Sequence, residues 1–289
     1  MDYLNSYRDL KKREPKKIRS AARRTVLDSL SLFNIMNRES LRKNRIQFLY
    51  FHHIFDDEIS GLENLLNYLS KDHSFISFSE AVERITSNRI DKSYIVFSSD
   101  DGFRNNLNGI KLFKEYGVSC CFFLNPGIIN SINYSHIKEY CQNKLELPPV
   151  EFLSWDDIET LQKFGHEIGS HTVTHINLGE VTNNILKDEL YQSKEILEKY
   201  CGEIKHFAFP YGTLSDFSLD AFKATYEAEY ISCSSAVRGC HVNEQKLIDK
   251  KELFIRRDQV IFAWKQSHIK YFLIRNAKKR EYQLSITPV

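Results

Sequence analysis

The chain has 289 residues, of which 42% are hydrophobic and 27% are charged, and its formal net charge is +2. This length fits one large α/β domain or two ordinary domains, and the composition is that of a soluble globular protein, which excludes extensive disorder. The small net charge gives no overall positive field for nucleic acid, and no window approaches the roughly 18 apolar residues of a membrane-spanning helix. The cysteines show no C-x-x-C spacing, so we expect reduced and mostly buried thiols.

The N-terminal region is basic. Residues 8–24 contain nine Lys or Arg residues against one Asp and one Glu. The first 17 residues are polar and lack the apolar core and cleavage site of a secretory signal, so we expect a cytoplasmic protein. The C-terminal residues 264–282 also interleave basic and apolar side chains. Such segments can lie on the anionic inner face of a membrane, or their apolar faces can pack on the domain, and both interpretations stay open.

From about residue 46 the chain alternates short apolar runs with amphipathic segments, which is typical of βα units around a parallel sheet. The predicted strands cover residues 46–52, 75–78, 94–98, 118–124, 166–169, 206–209, 228–233 and 253–256. The predicted helices cover residues 103–116, 154–164 and 182–201, and each ends before a glycine that suits a left-handed C-terminal position. This number of units favours a distorted (β/α) barrel over an open doubly wound sheet.

The predicted organisation has three parts. A basic helical extension covers residues 1–45, a barrel covers residues 46–260, and a basic amphipathic helix or tail covers residues 261–289. Within the barrel, residues 125–149 form a longer irregular insertion between a strand and a helix, which we expect to be a rim loop over a site.

Three short segments follow predicted strands and carry polar side chains suited to catalysis. They are Ser99-Asp100-Asp101-Gly102, His171-Thr172-Val173-Thr174-His175 and Phe209-Pro210-Tyr211-Gly212. Parallel barrels place their active sites at the carboxyl ends of the strands, so we expect these segments to meet.

The first two segments contain the ligand types of a catalytic metal site. Adjacent side chains at a strand end point in different directions, so one carboxylate of Asp100 and Asp101 can bind a metal while the other faces a water. Two imidazoles, from His171 and His175, and one carboxylate leave open positions on a divalent ion. The alternatives are that Asp-Asp-Gly is only a turn or helix cap, and that the histidines are ordinary surface or core residues.

These motifs strongly resemble those of the polysaccharide deacetylases with NodB homology, carbohydrate esterase family 4. The resemblance rests on residues 152–157 and 165–175 together with an Asp-Asp after a strand, a His-(Ser/Thr)-x-x-His and a Pro-Tyr turn, all in the family's order. It extends from about residue 47 to residue 257. It implies a distorted barrel of about seven strands.

The resemblance also implies a role for each motif residue. Asp101, His171 and His175 would hold one divalent metal ion, with zinc expected and cobalt, nickel or iron also accepted. Asp100 would be the general base, and the backbone N–H of Tyr211 would stabilise the oxyanion.

Two departures from the family pattern affect the predicted site. Where some members have an Arg two residues before the proline, this chain has Ala208, as in a branch of the family with Phe-Ala-Phe-Pro-Tyr-Gly. Another residue must then orient Asp100, and Arg256 and Arg257 are the candidates.

The second departure is the lack of a recognisable Leu-x-His near the C-terminus, which many members use for the catalytic acid. Some members of the Arg-lacking branch instead use a histidine after the first strand. His52 matches that position and is the predicted acid, with His53, His241 and His268 as alternatives.

The sequence therefore predicts a metal-dependent carbohydrate deacetylase that removes an N-acyl group, most simply N-acetyl, from an amino sugar. A cytoplasmic location favours a nucleotide-linked or lipid-carrier-linked substrate made during the biosynthesis of lipopolysaccharide, capsule or glycolipid. Two alternatives stay open: a hydrolase of a non-sugar amide on the same fold, and a catalytically degenerate homologue that binds glycan or serves as a scaffold. No nucleic-acid partner is expected, because no recognition motif accompanies the basic ends.

Overall fold

The computed structural model describes residues 2–13, 26–30, 39–244 and 249–278. The strands are β1 (Arg45–Phe51), β2 (Ser74–Phe75), β3 (Ser93–Ser99), β4 (Cys120–Leu124), β5 (Glu167–Ser170), β6 (His206–Ala208), β7 (Ser232–Ser234), β8 (Phe254–Ile255) and β9 (Arg257–Gln259). They form one parallel sheet in the order β8-β7-β6-β5-β4-β3-β1-β9, and β2 pairs with β3 beside this path.

The two ends of the sheet are joined by one run of chain. Strand β8 pairs with β7, and β9 pairs with β1, yet only Arg256 separates β8 from β9 in the sequence. Residues 254–259 therefore connect the two edges and nearly close a barrel. If β8 and β9 are taken as one segment, seven segments line the path, and the predicted distorted (β/α) barrel is confirmed.

The helices surround this barrel. They are α1 (Tyr7–Arg13), α2 (Ile59–Leu69), α3 (Phe78–Thr86), α4 (Ile110–Glu115), α5 (Tyr134–Lys144), α6 (Trp155–Lys163), α7 (Asn183–Cys201), α8 (Leu219–Glu227) and α9 (Gln266–Ala277). Every residue of β1, β3 and β4 is buried, as expected for parallel strands covered on both faces.

Alternate strand residues belong to two different apolar clusters. One cluster joins Leu49, Phe97 and Phe122 to the surrounding helices. The other joins Phe48 and Phe123 to side chains of β3, β6 and β8 and to α3, so it fills the barrel interior. This alternation follows from the period of two along a strand. The six cysteines form no disulfide in the structure and five of them are buried, which confirms that the thiols are mostly buried.

Several predicted boundaries need correction. The predicted helix 103–116 begins as a 3-10 turn, Arg104–Gly109, and becomes α-helical only at Ile110. The predicted irregular insertion contains helix α5, which begins after an Asn133 side chain that accepts hydrogen bonds from the first turn. Strand β9 lies beyond the last predicted strand. Gly117, Gly165 and Gly202 all have positive φ, as predicted.

The ends of the chain are partly described. Helix α1 and a helical segment at residues 26–30 belong to the N-terminal extension, and α9 belongs to the C-terminal one. The basic residues at 16–24 and the tail beyond residue 278 lie outside the described residues, and the domain boundaries stay predictions. Within the described part, no helix is long and apolar enough to cross a membrane.

Candidate metal centre

The three motif segments meet at the carboxyl ends of the strands, as the sequence predicts. Asp101 follows β3, His171 follows β5, and Tyr211 follows β6. Four residues of this region have positive φ although none is glycine: Asp101 (72°), Thr172 (65°), His175 (55°) and Tyr211 (63°). Such conformations cost free energy and persist only where the surrounding structure imposes them. Because these residues cluster at one place, we infer that the directions of their side chains are maintained at the cost of an unfavourable backbone conformation.

Asp101, His171 and His175 bring one ligand atom each to a common point. The Oδ1 atom of Asp101 lies 3.5 Å from Nε2 of His171 and 3.4 Å from Nε2 of His175. The three ligand atoms lie within 4.8 Å of one another, and all three residues are buried. The Nδ1 atom of His171 lies 2.7 Å from the Ala208 carbonyl oxygen and donates to it, which leaves the Nε2 lone pair facing Asp101.

The chemistry of these donors fits a divalent cation. Oδ1 of Asp101 is buried and makes no hydrogen bond to any described residue. Burial and the neighbouring Asp100 charge raise the pKa of the Asp101 carboxyl well above its usual value. Burial lowers the pKa of His171 to about 4, so its imidazole is neutral and offers a lone pair. An ionised Asp101 with two neutral imidazoles needs one more positive charge, and a bound cation would supply it.

Asp100 is held by Arg257. The guanidinium donates from Nη1 to Oδ1 at 2.7 Å and from Nη2 to Oδ2 at 2.9 Å. Burial opposes ionisation of Asp100, but the charge of Arg257 outweighs it and holds the pKa of this carboxyl below its usual value. Of the two predicted candidates, Arg257 is thus the partner of Asp100. The backbone N–H of Arg256 instead donates to Nε2 of His241.

The Arg257 side chain is itself fixed on several sides. It donates to the hydroxyl of Ser98 at 3.2 Å and to the carbonyl of Ser235 at 2.9 Å. Its guanidinium lies 4.6 Å from the ring centroid of Tyr50 and 5.2 Å from that of Phe123. Asp100 therefore has a defined orientation before any substrate binds.

His52 lies on the open side of this group. Its Nε2 atom is 4.0 Å from Oδ2 of Asp101, and its side chain is 31% exposed. The alternative histidines His241 and His268 lie elsewhere: the backbone of His241 pairs with Ile46 at the start of β1, and Nε2 of His268 contacts Asp28 at 2.7 Å. Of these three histidines, His52 is the one beside Asp101, His171 and His175, which we call the ligand group.

The turn at Tyr211 presents a backbone N–H. Within the described part of the chain, no hydrogen bond to this N–H is found. Gly212 has a φ of 78°, and an added Cβ there would come within 2.5 Å of the Cβ of Ala236. The glycine therefore permits both the turn and the close approach of residue 236, whose N–H donates to the Gly212 carbonyl at 2.8 Å.

Two residues that sequence reasoning missed hold the histidine loop. The Asn125 side chain donates to the backbone carbonyl groups of residues 171 and 172. The Glu189 carboxylate accepts from the N–H groups of Val173 and Thr174 at 2.7 and 3.0 Å. A signal for Glu189 exists in the sequence, because its position falls on the apolar stripe of α7 between Leu186 and Leu190.

A cavity of about 400 Å³ opens over the ligand group. Its inner end contains Asp100, Asp101, His171, His175 and Arg257. The outer wall contains apolar side chains from three segments. These are Tyr7 and Leu10 of α1, Leu145 and Leu147 of the insertion, and Val260 and Ile261 after β9. The expected position of residues 125–149 at the rim of the site is therefore correct for residues 144–147.

Helix α1 is docked on the barrel by specific contacts. The carboxylate of Asp57 accepts from the N–H groups of Tyr7 and Arg8 at 2.9 and 3.1 Å. Leu4 is 3% exposed and belongs to an apolar cluster with Phe55 and residues of α5. Residues 2–13 therefore pack on the domain.

Comparisons with known proteins agree with this geometry. Residues 87–228 match the family model described as polysaccharide deacetylase. No curated protein matches the sequence. Among solved structures, the chain is similar to the Streptococcus pyogenes deacetylase PplD in complex with acetate, with 16% identity and a TM-score of 0.61 over 81% of this chain and 98% of that chain.

Two further structures share the fold. IcaB from Ammonifex degensii has 13% identity and a TM-score of 0.62 over 82% of this chain and 98% of that chain. A de-N-acetylase from Aggregatibacter actinomycetemcomitans has 19% identity and a TM-score of 0.63 over 79% of this chain and 99% of that chain. The match to the polysaccharide deacetylase family model spans both aspartates, both histidines and the Tyr211 turn, so the part of this chain that resembles the family contains the candidate metal ligands.

Proposed function

We propose that the protein is a metal-dependent deacetylase that removes an N-acyl group, most simply acetyl, from an amino sugar. The observation that carries this proposal is the placement of an Arg257-held Asp100 beside the Asp101, His171 and His175 ligand group in one cavity. A carboxylate fixed beside an open cation site is the arrangement needed to activate water against an amide.

Each residue then has a role in the hydrolysis. Asp101, His171 and His175 would hold one divalent ion, with zinc expected and cobalt, nickel or iron acceptable, and this ion would supply Lewis-acid chemistry for the amide carbonyl and the attacking water. Asp100 accepts a proton from the water while the water oxygen forms a bond to the carbonyl carbon. The Tyr211 N–H donates to the developing oxyanion.

Cleavage of the C–N bond requires a proton on the departing nitrogen. His52 lies beside the ligand group on the open side of the cavity, and we assign it this proton transfer. A neutral amine leaves far more readily than an amide anion. The products are the free carboxylic acid and the amino sugar.

The substrate we propose is an amino sugar linked to a nucleotide or a lipid carrier, as an intermediate of lipopolysaccharide, capsule or glycolipid biosynthesis. Helix α1 and residues 144–147 line the outer wall of the cavity and limit its extent, which favours a short substrate over a long polymer. The last turn of α1 contains Lys11, Lys12 and Arg13, charges that would favour the phosphates of such a carrier. A cytoplasmic location with peripheral membrane contact through the basic termini belongs to this proposal.

The test is acyl release by the purified full chain loaded with zinc. The panel contains a nucleotide-linked N-acetylhexosamine, a lipid-linked N-acetylhexosamine, an N-acetylhexosamine oligomer and a non-sugar N-acetyl amide. We expect acetate from at least one linked sugar, and none from a D100N variant that retains its zinc.

Three outcomes would overturn the proposal. Release of acyl groups from the non-sugar amide alone would identify an amidase of another substrate class. Activity in the D100N variant equal to the wild type would remove Asp100 from the reaction. A zinc-loaded wild type that acts on no member of the panel would favour a glycan-binding or scaffold protein.

A further inference from the structure

His53 also lines the cavity, next to the proposed acid. Its environment differs from that of His52, because its Nδ1 atom lies 3.1 Å from the side-chain amide nitrogen of Asn105. The orientation of that amide decides which nitrogen of His53 carries a proton.

The Asn105 amide is oriented by the backbone. The N–H of Ile54 donates to the Oδ1 atom of Asn105 at 3.3 Å, and a backbone N–H can only donate. Nδ2 of Asn105 is then the atom facing His53, and it must donate to Nδ1. A His53 ring that accepts at Nδ1 carries its single proton on Nε2.

Two phenyl rings enclose the His53 ring. Phe55 stacks on it with centroids 4.7 Å apart, and Phe103 stacks on it with centroids 4.2 Å apart. Both rings cannot stack on one face of an imidazole, so they cover opposite faces. Burial, reinforced by the neighbouring His52, lowers the pKa of His53 to about 3, which keeps the ring neutral at physiological pH.

The ring therefore has one free edge. With Nδ1 bound to Asn105 and both faces covered, the edge that carries Nε2–H is what His53 can present to the cavity. In the described part of the chain, no residue accepts from this N–H. Protonation of Nδ1 would break the hydrogen bond from Asn105, so the geometry disfavours His53 as the alternative to His52 for the catalytic acid.

We propose that His53 is a substrate-binding residue whose neutral Nε2–H donates a hydrogen bond to an oxygen of the amino sugar beside the scissile amide. This inference rests on the proposed function for the identity of the ligand, and it assigns to the loop after β1 two different tasks. His52 transfers a proton, while His53 positions the sugar so that its amide nitrogen lies beside His52. Asn105, Phe55 and Phe103 act by fixing the tautomer and the plane of the His53 ring.

The tautomer is tested by ¹⁵N NMR on histidine-labelled, zinc-loaded protein, with the His53 signals assigned by their loss in a His53→Phe variant. We expect a neutral ring with the proton on Nε2 at pH 7 and at pH 5. A proton on Nδ1, or a charged ring at pH 7, would overturn the inference.

The hydrogen bond is tested by binding, independently of turnover. The zinc-loaded D100N protein is titrated with N-acetylglucosamine, and the same titration is made with His53→Phe and His53→Gln added to the D100N background. The Phe variant keeps a stacked ring without a donor, and we expect its Kd to rise about fivefold to tenfold. The Gln variant restores a donor and should recover part of the affinity.

The outcomes separate the two proposals. Equal Kd values in the D100N and D100N/His53→Phe proteins would overturn the role of His53, whether or not the wild type is active. A higher Kd in the Phe variant together with an inactive wild type would support the role of His53 and contradict the proposed reaction. Loss of zinc in the Phe variant would also overturn it, because the ring would then act on the ligand group.

Discussion

The inner end and the outer wall of the cavity are built in different ways. At the inner end, Asp100, Asp101 and His171 lie within two residues of a strand end, and His175 follows in the same loop. At the outer wall, Tyr7 and Leu10 come from a helix that is docked beside the cavity by hydrogen bonds to Asp57 and by packing on the apolar cluster that contains Leu4. The closed sheet fixes the first group. The second depends on packing between peripheral segments, so the outer wall can change without displacing the ligand group.

The largest effect should follow from removing a ligand at the inner end. In Asp101→Asn the amide is a weaker ligand for a cation, so we expect zinc loss and a fall in kcat/KM of at least about 1000-fold, since metal assistance is worth several kcal/mol. Metal analysis and acetate release measure both effects. Asp220→Asn, on the exposed first turn of α8, is the control and should keep zinc and activity. A zinc-loaded, active Asp101→Asn protein would place the ligand group elsewhere.

The Arg257→Lys variant, also at the inner end, should lose less activity than Asp101→Asn. Lysine keeps the charge but cannot make the two parallel hydrogen bonds to Asp100, so the carboxylate loses its defined orientation. We expect kcat to fall about 100-fold, with KM and zinc content unchanged, because misplacement of a reacting group by about 1 Å has an effect of this size.

Arg256→Lys is the matched control for this variant. Its side chain does not hold Asp100, so the change should leave kcat close to that of the wild type. Equal losses in the two variants would show that the whole segment 254–259 was disturbed, and the orientation of Asp100 would then not explain the result.

Substitutions at the outer wall should raise KM and leave kcat nearly unchanged. A Tyr7→Ala/Leu10→Ala variant removes apolar contact area from the cavity, and we expect KM for the preferred linked sugar to rise about tenfold while kcat stays within about twofold. Steady-state kinetics with zinc-loaded protein measure this. An Ile185→Ala/Tyr191→Ala variant, altered on the exposed face of α7, is the control. A fall in kcat or a loss of zinc would show that the two regions are coupled.

A change at the opposite end of the barrel should affect stability alone. His206 begins β6 and is buried between the hydroxyl groups of Ser79 and Ser232, at 2.8 and 2.9 Å from its ring nitrogens. Burial lowers its pKa to about 3. The unfolded chain, with a pKa near 6.5, therefore binds more protons below that pH, so acid favours unfolding.

His206 should account for about 2 kcal/mol of the unfolding free energy lost between pH 7 and pH 5. Urea unfolding at both pH values measures this loss. A His206→Gln protein should be less stable at pH 7 but should lose less on acidification, and His136→Gln, at an exposed position, should follow the wild type. An unchanged loss in His206→Gln would show that the ring is already charged in the folded protein.

The inner end was largely predictable, and the outer wall was not. The order of βα units places Asp100 and Asp101 at the end of β3 and His171 at the end of β5, on the same edge of the sheet, and local patterns reveal these positions. The bond between Arg257 and Asp100 joins residues 157 positions apart, and it depends on β9 pairing with β1, a strand that the pattern missed. Sequence reasoning could name Arg257 only as one of two candidates. Nothing local indicates that Asp57 would hold α1 over the cavity.

The closure of the barrel through residues 254–259 gives the protein an order of assembly. During synthesis the ligand group is complete once His175 has been made, long before the ribosome reaches Arg257. A nascent chain that stops short of residue 254 has two unpaired edges, at β7 and β1, that invite association with other strands. It also leaves Asp100 without its guanidinium. The same short segment therefore covers both edges of the sheet and supplies the guanidinium that orients Asp100.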